Sequence, residues 1–370
     1  MSKLRIATGL VLFLFVFTHL TNLAFGLISI EMMETSRVIV MAPWNNPIGG
    51  PLLILSFLIH GSLGLWTLYR RNTLLMRGGD AAQALLGVAI VPLLLPHIMG
   101  TGIGPAISGA QPNYPWVLAV YWLYAPALGI QQVIALIVVW VHGCYGLFLW
   151  MHVQNWWGRL GGLTYPVALI VPVAGLLGFV EAGKSLLSKS ANPEFMAPVR
   201  EVAREYNPIA GDLWTLHDRI LIGYAILVGI LLVARLIRDR GTRAQVEMAY
   251  DDGPVIRRPA GLSMLEMGQR EEVPHASLCG GRGRCGSCAV RVLAGTDRLT
   301  PPHAHEEATL RRIEAEPSMR LACQAVPTGG SLAIQRVFPP EIQPVGYREL
   351  LRDRHAPPSE QAAEPMAEQA

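Results

Sequence analysis

Charge is what this 370-residue chain has least of: Asp, Glu, Lys and Arg make up 15% of it, against about 25% in an average soluble domain. The shortage is uneven. Residues 1–240 hold 15 Lys/Arg and 10 Asp/Glu, whereas residues 241–370 hold 15 Arg and 17 Asp/Glu. That split excludes one soluble globular domain and equally a disordered chain. A net charge of +3 is too small to call for a nucleic acid. Cysteine is scarce too, five in all, and four of the five fall between positions 279 and 323.

The uncharged runs set the architecture of the first part. Arg5 and Glu31 bracket 25 residues without Asp, Glu, Lys or Arg, Arg37 and Arg70 bracket 32, and Asp80 and Arg159 bracket 78. Further runs of 21 and 15 follow to Glu181 and between Arg219 and Arg235. A helix needs about 20 mainly apolar residues to cross the hydrocarbon core. Membrane spans are therefore expected near 6–29, 50–69, 82–101, 127–151, 161–182 and 214–237. The middle of the longest run, Tyr114 to Pro126, reads as an aromatic belt at the interface. The first span is too long, and lacks the small-residue cleavage site, for a secretory signal, so it reads as a retained helix.

Basic residues set the orientation. With the N-terminus cytoplasmic, that side carries Lys3, Arg5, Arg70, Arg71, Arg77, Arg159, Arg235, Arg238, Arg240 and Arg243. Six spans return the chain to the cytoplasm. The expected organisation is a six-helix transmembrane anchor over 1–240, an α+β domain over 241–342 and a disordered tail over 343–370.

Four histidines, His19, His60, His97 and His142, lie inside four successive spans, one in each. One imidazole in a bundle can be spent on a neighbouring backbone carbonyl. Four at membrane depth point to function, and imidazole pairs from facing helices are the axial ligands of b-type haem. His60-Gly-Ser-Leu-Gly-Leu matches His142-Gly-Cys-Tyr-Gly-Leu, which pairs His60 with His142 on the cytoplasmic side and His19 with His97 on the outer side. The adjacent glycines are expected to admit a flat macrocycle. His152 reads as interfacial, and His217-Asp218-Arg219 as the outer boundary of span six or a contact for a haem propionate or quinone.

Cys279, Cys285, Cys288 and Cys323 form a C-x5-C-x2-C-x34-C pattern. Glycines between the first three thiols let the loop wrap tightly and aim N–H groups at bridging sulfides, as in [2Fe–2S] proteins. The loop is one residue longer than the plant-type spacing and resembles the adrenodoxin-like branch. A four-thiolate zinc site normally shows two close CxxC pairs, which this pattern does not. The flanking sequence suits a β-grasp domain. Strands are expected at Val246–Tyr250 and Val255–Arg258 around an Asp252-Gly253 turn, and a Ser263-capped helix follows. Further strands are expected at Ala289–Leu293 and Leu332–Val337, with a helix around Glu306–Ile313. His275 reads as a packed loop residue.

The run from Val273 to Leu293, together with Arg320-Leu-Ala-Cys-Gln, resembles the ferredoxin domain joined to some bacterial membrane-anchored class III adenylate cyclases. Phe17-Thr-His19-Leu, Leu94-Leu-Pro-His97 and Val141-His142-Gly resemble their six-helix haem-b anchor, itself similar to the dihaem anchors of succinate dehydrogenase and fumarate reductase. The resemblance implies a redox-sensing anchor that exchanges electrons with quinone. The 30 residues after Pro340 cannot hold a cyclase domain, so cyclase activity is not assigned to them. The leading expectation is a membrane electron carrier linking a quinone pool, two haems b and a cytoplasmic [2Fe–2S] cluster to a soluble redox partner. The alternative is a redox-sensing anchor for a separate signalling partner such as a cyclase. A weaker third reading is an ion or solute carrier with an attached ferredoxin.

Overall fold

The computed structural model describes residues 2–71, 78–152, 154, 156–239 and 244–355. Arg77, Arg240 and Arg243 of the proposed cytoplasmic set lie outside the described residues, as does the seam at Arg240-Gly241. The chain forms two compact units. One comprises 1–148 and 162–240, the other 149–161 and 241–370.

The first unit is all helix. α1 (Ser2–Ala24), α2 (Ile30–Val40), α3 (Gly49–Arg70) and α4 (Gly78–Ile98) lead to the short α5 (Gly104–Ser108) and α6 (Tyr114–Ala119). α7 (Pro126–Met151), α8 (Trp157–Lys189), α9 (Ala197–Tyr206) and α10 (Ala210–Asp239) follow. Among the described residues, six helical stretches are long and apolar enough to cross a membrane, each overlapping one expected span. Where backbone is freed inside this unit, side chains recover it. Pro96 has no N–H for the carbonyl one turn back, and Gln131 Nε2 of α7 donates to that carbonyl, Pro92 O, at 3.2 Å. The small α2 is started by Ser29, whose Oγ accepts Met32 N at 3.0 Å. Buried Asn22 of α1 ties it down, donating to Met33 O at 3.1 Å and Ser36 Oγ at 2.7 Å and accepting Tyr114 OH at 2.6 Å. α1 and α8 cross closely because a Cβ at Gly178 would stand 2.1 Å from Leu23 O.

The expected belt from Tyr114 to Pro126 is α6 followed by a wide turn at Val120–Tyr124. Its aromatics split: Tyr114, Trp116 and Tyr121 are buried, and Tyr124 is exposed. α2 and α9 were not expected. α9 carries charges, yet Val199, Val202 and Tyr206 fall on one buried stripe.

The second unit is a five-stranded mixed sheet in the order β2-β1-β5-β3-β4. The strands are β1 (Gln245–Tyr250), β2 (Val255–Pro259), β3 (Ala289–Ala294), β4 (Met319–Leu321) and β5 (Gly330–Arg336). Only the central β1–β5 pair is parallel. α11 (Met264–Arg270) buries Met264, Leu265 and Met267 in the same core as Val246, Met248, Val290 and Ile334, a β-grasp arrangement. The Ser263 cap is a full capping box with Glu266. α12 (Ala304–Arg312) and α13 (Pro344–His355) complete the unit. The tail expected to be disordered from 343 thus begins with a helix. Tyr347 is buried against Phe338 at 4.9 Å and donates to Cys285 O at 2.6 Å, which fixes that turn of chain. Residues 356–370 lie outside the described residues.

Candidate functional site

In the second unit the loop between α11 and β3 gathers the thiols. Cys279, Cys285 and Cys288 are buried and Cys323 is half-buried. Two positions show why the loop is rich in glycine. Gly283 has φ +65°, with Gln324 where a Cβ would go. Gly286 has φ +91°, with Ile313 and the Tyr347 hydroxyl within 2.9 Å of that place. The loop is pinned from outside by Thr309 Oγ1 donating to Gly283 O at 2.6 Å and by Arg312, which donates to Arg284 O and to Cys285 O at 3.1 Å. Leu278 N donates to Ser287 Oγ at 3.0 Å, and Ala322 N to Cys288 O at 3.0 Å.

The thiols fall into two pairs. Cys288 Sγ lies 3.2 Å from Cys323 Sγ, and Cys279 contacts Cys285. The Cys285 thiol, seconded by the backbone N–H groups of Arg284, Cys285 and Arg282, pushes Cys279 well below the ordinary thiol range. The same contact raises Cys285, and the Cys323 contact raises Cys288. Among the described residues no three His, Cys, Asp or Glu side chains surround one ion position. Two pairs suit two metals with two thiolates each, rather than one tetrahedral zinc.

Beneath Cys323 sits an ion pair that no sequence pattern announced. Glu306 is fully buried and accepts Arg320 Nε at 2.8 Å, Arg320 Nη2 at 3.0 Å and Leu321 N at 3.0 Å. It fixes the strand leading to Cys323, and the only sequence trace is an acid on the apolar side of α12. His275 packs its ring 6.2 Å from Tyr250, as a loop residue would. His152 is buried within this unit, and its Nε2 donates to Leu278 O at 2.8 Å.

In the first unit the four histidines meet in the expected pairs. The rings of His19 and His97 are 6.0 Å apart, and those of His60 and His142 are 6.3 Å apart. A metal held by two imidazole nitrogens at about 2.0 Å puts ring centres about 6 Å apart. Three of the rings have Nδ1 engaged. His60 Nδ1 donates to Arg5 O at 3.1 Å, His142 Nδ1 to Gln83 O at 3.2 Å, and His97 Nδ1 lies 3.2 Å from Tyr121 OH. That leaves Nε2 of these three rings available to a ligand, the arrangement found behind metal-bound histidine.

Glycines on other helices face these rings. A Cβ at Gly61 or Gly64 would meet nothing within 4 Å, and one at Gly143 would meet Phe13. Instead a Cβ at Gly9 would lie 3.0 Å from His60 Cε1, and one at Gly87 would lie 3.0 Å from His142 Cε1. Both glycines stand ten residues before a histidine, His19 and His97. That shared spacing is the sequence signal that could have found them. At 1.5 Å per residue the two pairs stand about 15 Å apart along α1 and α4. His217 is buried, with Nδ1 2.9 Å from Asp218 Oδ1 and its ring 5.1 Å from Trp214, a local cluster at the start of α10.

Residues 250–328, which contain all four paired cysteines, match the family of 2Fe-2S iron-sulfur cluster binding domains. Curated relatives include a component of the Na(+)-translocating NADH-quinone reductase of Haemophilus influenzae, 32% identical over 120 residues, 32% of this chain and 27% of the relative. The same component from Klebsiella pneumoniae is 31% identical over 99 residues, 27% of this chain and 24% of the relative. That from Chlamydia felis is 28% identical over 99 residues, 27% and 22% respectively. The chain spans about a quarter of the length of these relatives, and none of the three is a cyclase or part of a succinate dehydrogenase. The chain is thus a multi-pass membrane protein that carries a 2Fe–2S domain.

Proposed function

We propose that this protein is a membrane electron carrier joining a quinone pool, two b-type haems and a cytoplasmic [2Fe–2S] cluster. Cys279 with Cys285, and Cys288 with Cys323, hold the two irons. His60 with His142, and His19 with His97, would hold the two haems. When bound, these groups supply one-electron chemistry; the protein supplies ligands, burial and hydrogen bonds that set their potentials. The observation that carries the reading is the pairing of four membrane-depth histidines at 6.0 and 6.3 Å. That the relatives are components of a quinone reductase supports quinone as the membrane partner. The basic residues favour cytoplasmic termini and hence a cytoplasmic cluster. The domain boundaries proposed are 1–240, 241–342 and 343–370.

Optical and EPR spectra of the purified protein in detergent test this directly. Bis-imidazole haem bands should halve in His60→Ala and again in His19→Ala, while the reduced-cluster signal persists. No Soret absorption in protein from a haem-replete host would overturn the haem assignment. Quinol-driven reduction of the cluster distinguishes an electron carrier from a redox-sensing anchor.

A further inference from the structure

We infer that the cysteine loop is a basic docking rim that receives the acidic face of a small soluble redox protein. The inference rests on the reading that the four thiols hold a cluster. A [2Fe–2S] centre with four thiolates carries net negative charge in both oxidation states: two ferric ions, two sulfides and four thiolates sum to minus two, and one added electron makes minus three. An anionic partner is repelled by such a centre unless cations stand between them. This loop supplies them.

From Val273 to Thr296 there is no Asp or Glu, although residues 241–370 hold 17 acids against 15 arginines. Arg282 and Arg284 lie on the loop itself, both half-buried, and Arg282 Nη1 donates to Cys279 O at 2.8 Å. From α12, exposed Arg312 reaches the carbonyls of Arg284 and Cys285, and the His305 ring lies 3.3 Å from Arg282 O. Exposed Arg311 follows on the same helix, 3.6 Å from Glu307. The nearby carboxylate of Glu306 is fully buried and is matched by Arg320, so it offers no charge to a partner. Three cations, Arg282, Arg284 and Arg312, thus meet at the chain that covers the thiols.

The test uses the full chain in neutral detergent with the cluster reduced, its EPR signal followed after freeze-quenching. One electron leaves the cluster and one reduces the probe, hexacyanoferrate(III) or hexaamminecobalt(III). The hexacyanoferrate rate constant should fall about tenfold between 10 and 300 mM ionic strength, and the cobalt rate should rise. Arg282→Gln with Arg284→Gln should slow hexacyanoferrate about fivefold at low salt. Arg257→Gln, on edge strand β2, should change it less than twofold. As a readout independent of reaction, the anionic relaxant tris(oxalato)chromate(III) should raise the EPR half-saturation power more than its cationic tris(ethylenediamine) counterpart.

Salt-insensitive rates, a faster cobalt reaction at low salt, or an equal effect of Arg257→Gln would overturn the rim while leaving the cluster intact. Absence of any cluster signal would overturn the rim and the cluster reading together.

Discussion

His60 and His142 stand in matching surroundings: each donates Nδ1 to a carbonyl on another helix, Arg5 O or Gln83 O, and each ring faces the glycine four residues beyond that carbonyl, Gly9 or Gly87. The rings meet at 6.3 Å. A ring oriented by a carbonyl and admitted by a glycine has little freedom to turn, which is what a metal ligand requires.

Filling that space should remove one haem and spare the other. Gly9→Val and Gly87→Val are each expected to lose about half of the haem, measured as pyridine haemochrome per cluster, through displacement of His60 or His142. Gly223→Ala on α10, where a Cβ meets nothing within 4 Å, should retain full haem. Equal loss in all three variants would count against the assignment.

Glu306→Ala leaves Arg320 buried without its partner, and a broken buried pair of this kind costs about 3–5 kcal/mol. Thermal bleaching of cluster absorbance should move down by several degrees. Replacing both residues with Met and Leu should recover much of the loss, because the cost lies in the unpaired charge.

Tyr347→Phe keeps the ring against Phe338 and removes only the hydroxyl that donates to Cys285 O at 2.6 Å. Arg312 still reaches that carbonyl at 3.1 Å, so the expected cost is about 1 kcal/mol. Faster loss of the cluster to a chelator, with unchanged haem bands, is the readout.

Asn22→Leu strands Tyr114 OH inside the membrane unit and leaves Met33 O only its Ser36 Oγ contact at 3.2 Å. Polar contacts between membrane helices are worth about 0.6–2 kcal/mol each. A lower melting temperature of the detergent-solubilised protein is expected, with Asn22→Gln recovering part of it.

Legibility followed the range of the forces. The six spans could be read because membrane burial imposes long runs without charge, and the Asp252-Gly253 hairpin and Ser263 cap because turns and caps are local chemistry. β4 has only three residues, Met319–Leu321, too few for an alternating pattern, and it owes its place to Arg320 on Glu306. α13 is held by Tyr347 on a loop some sixty positions earlier, which no local pattern reveals. The histidine pairs were foreshadowed by the His-Gly-x-x-Gly-Leu repeat. The glycines that face them lie on different helices, so the packing partner had to be seen.

The matched spacing of Gly9 to His19 and Gly87 to His97 has a consequence for assembly. α1 with α3 carries one ring of each pair, and α4 with α7 carries the other. Neither half can complete a histidine pair alone. Joining the halves in one chain makes the second ligand intramolecular, so both pairs stay matched at any protein concentration. It also frees each half to diverge around its own ring, as Tyr121 beside His97 and Thr8 beside His60 already show.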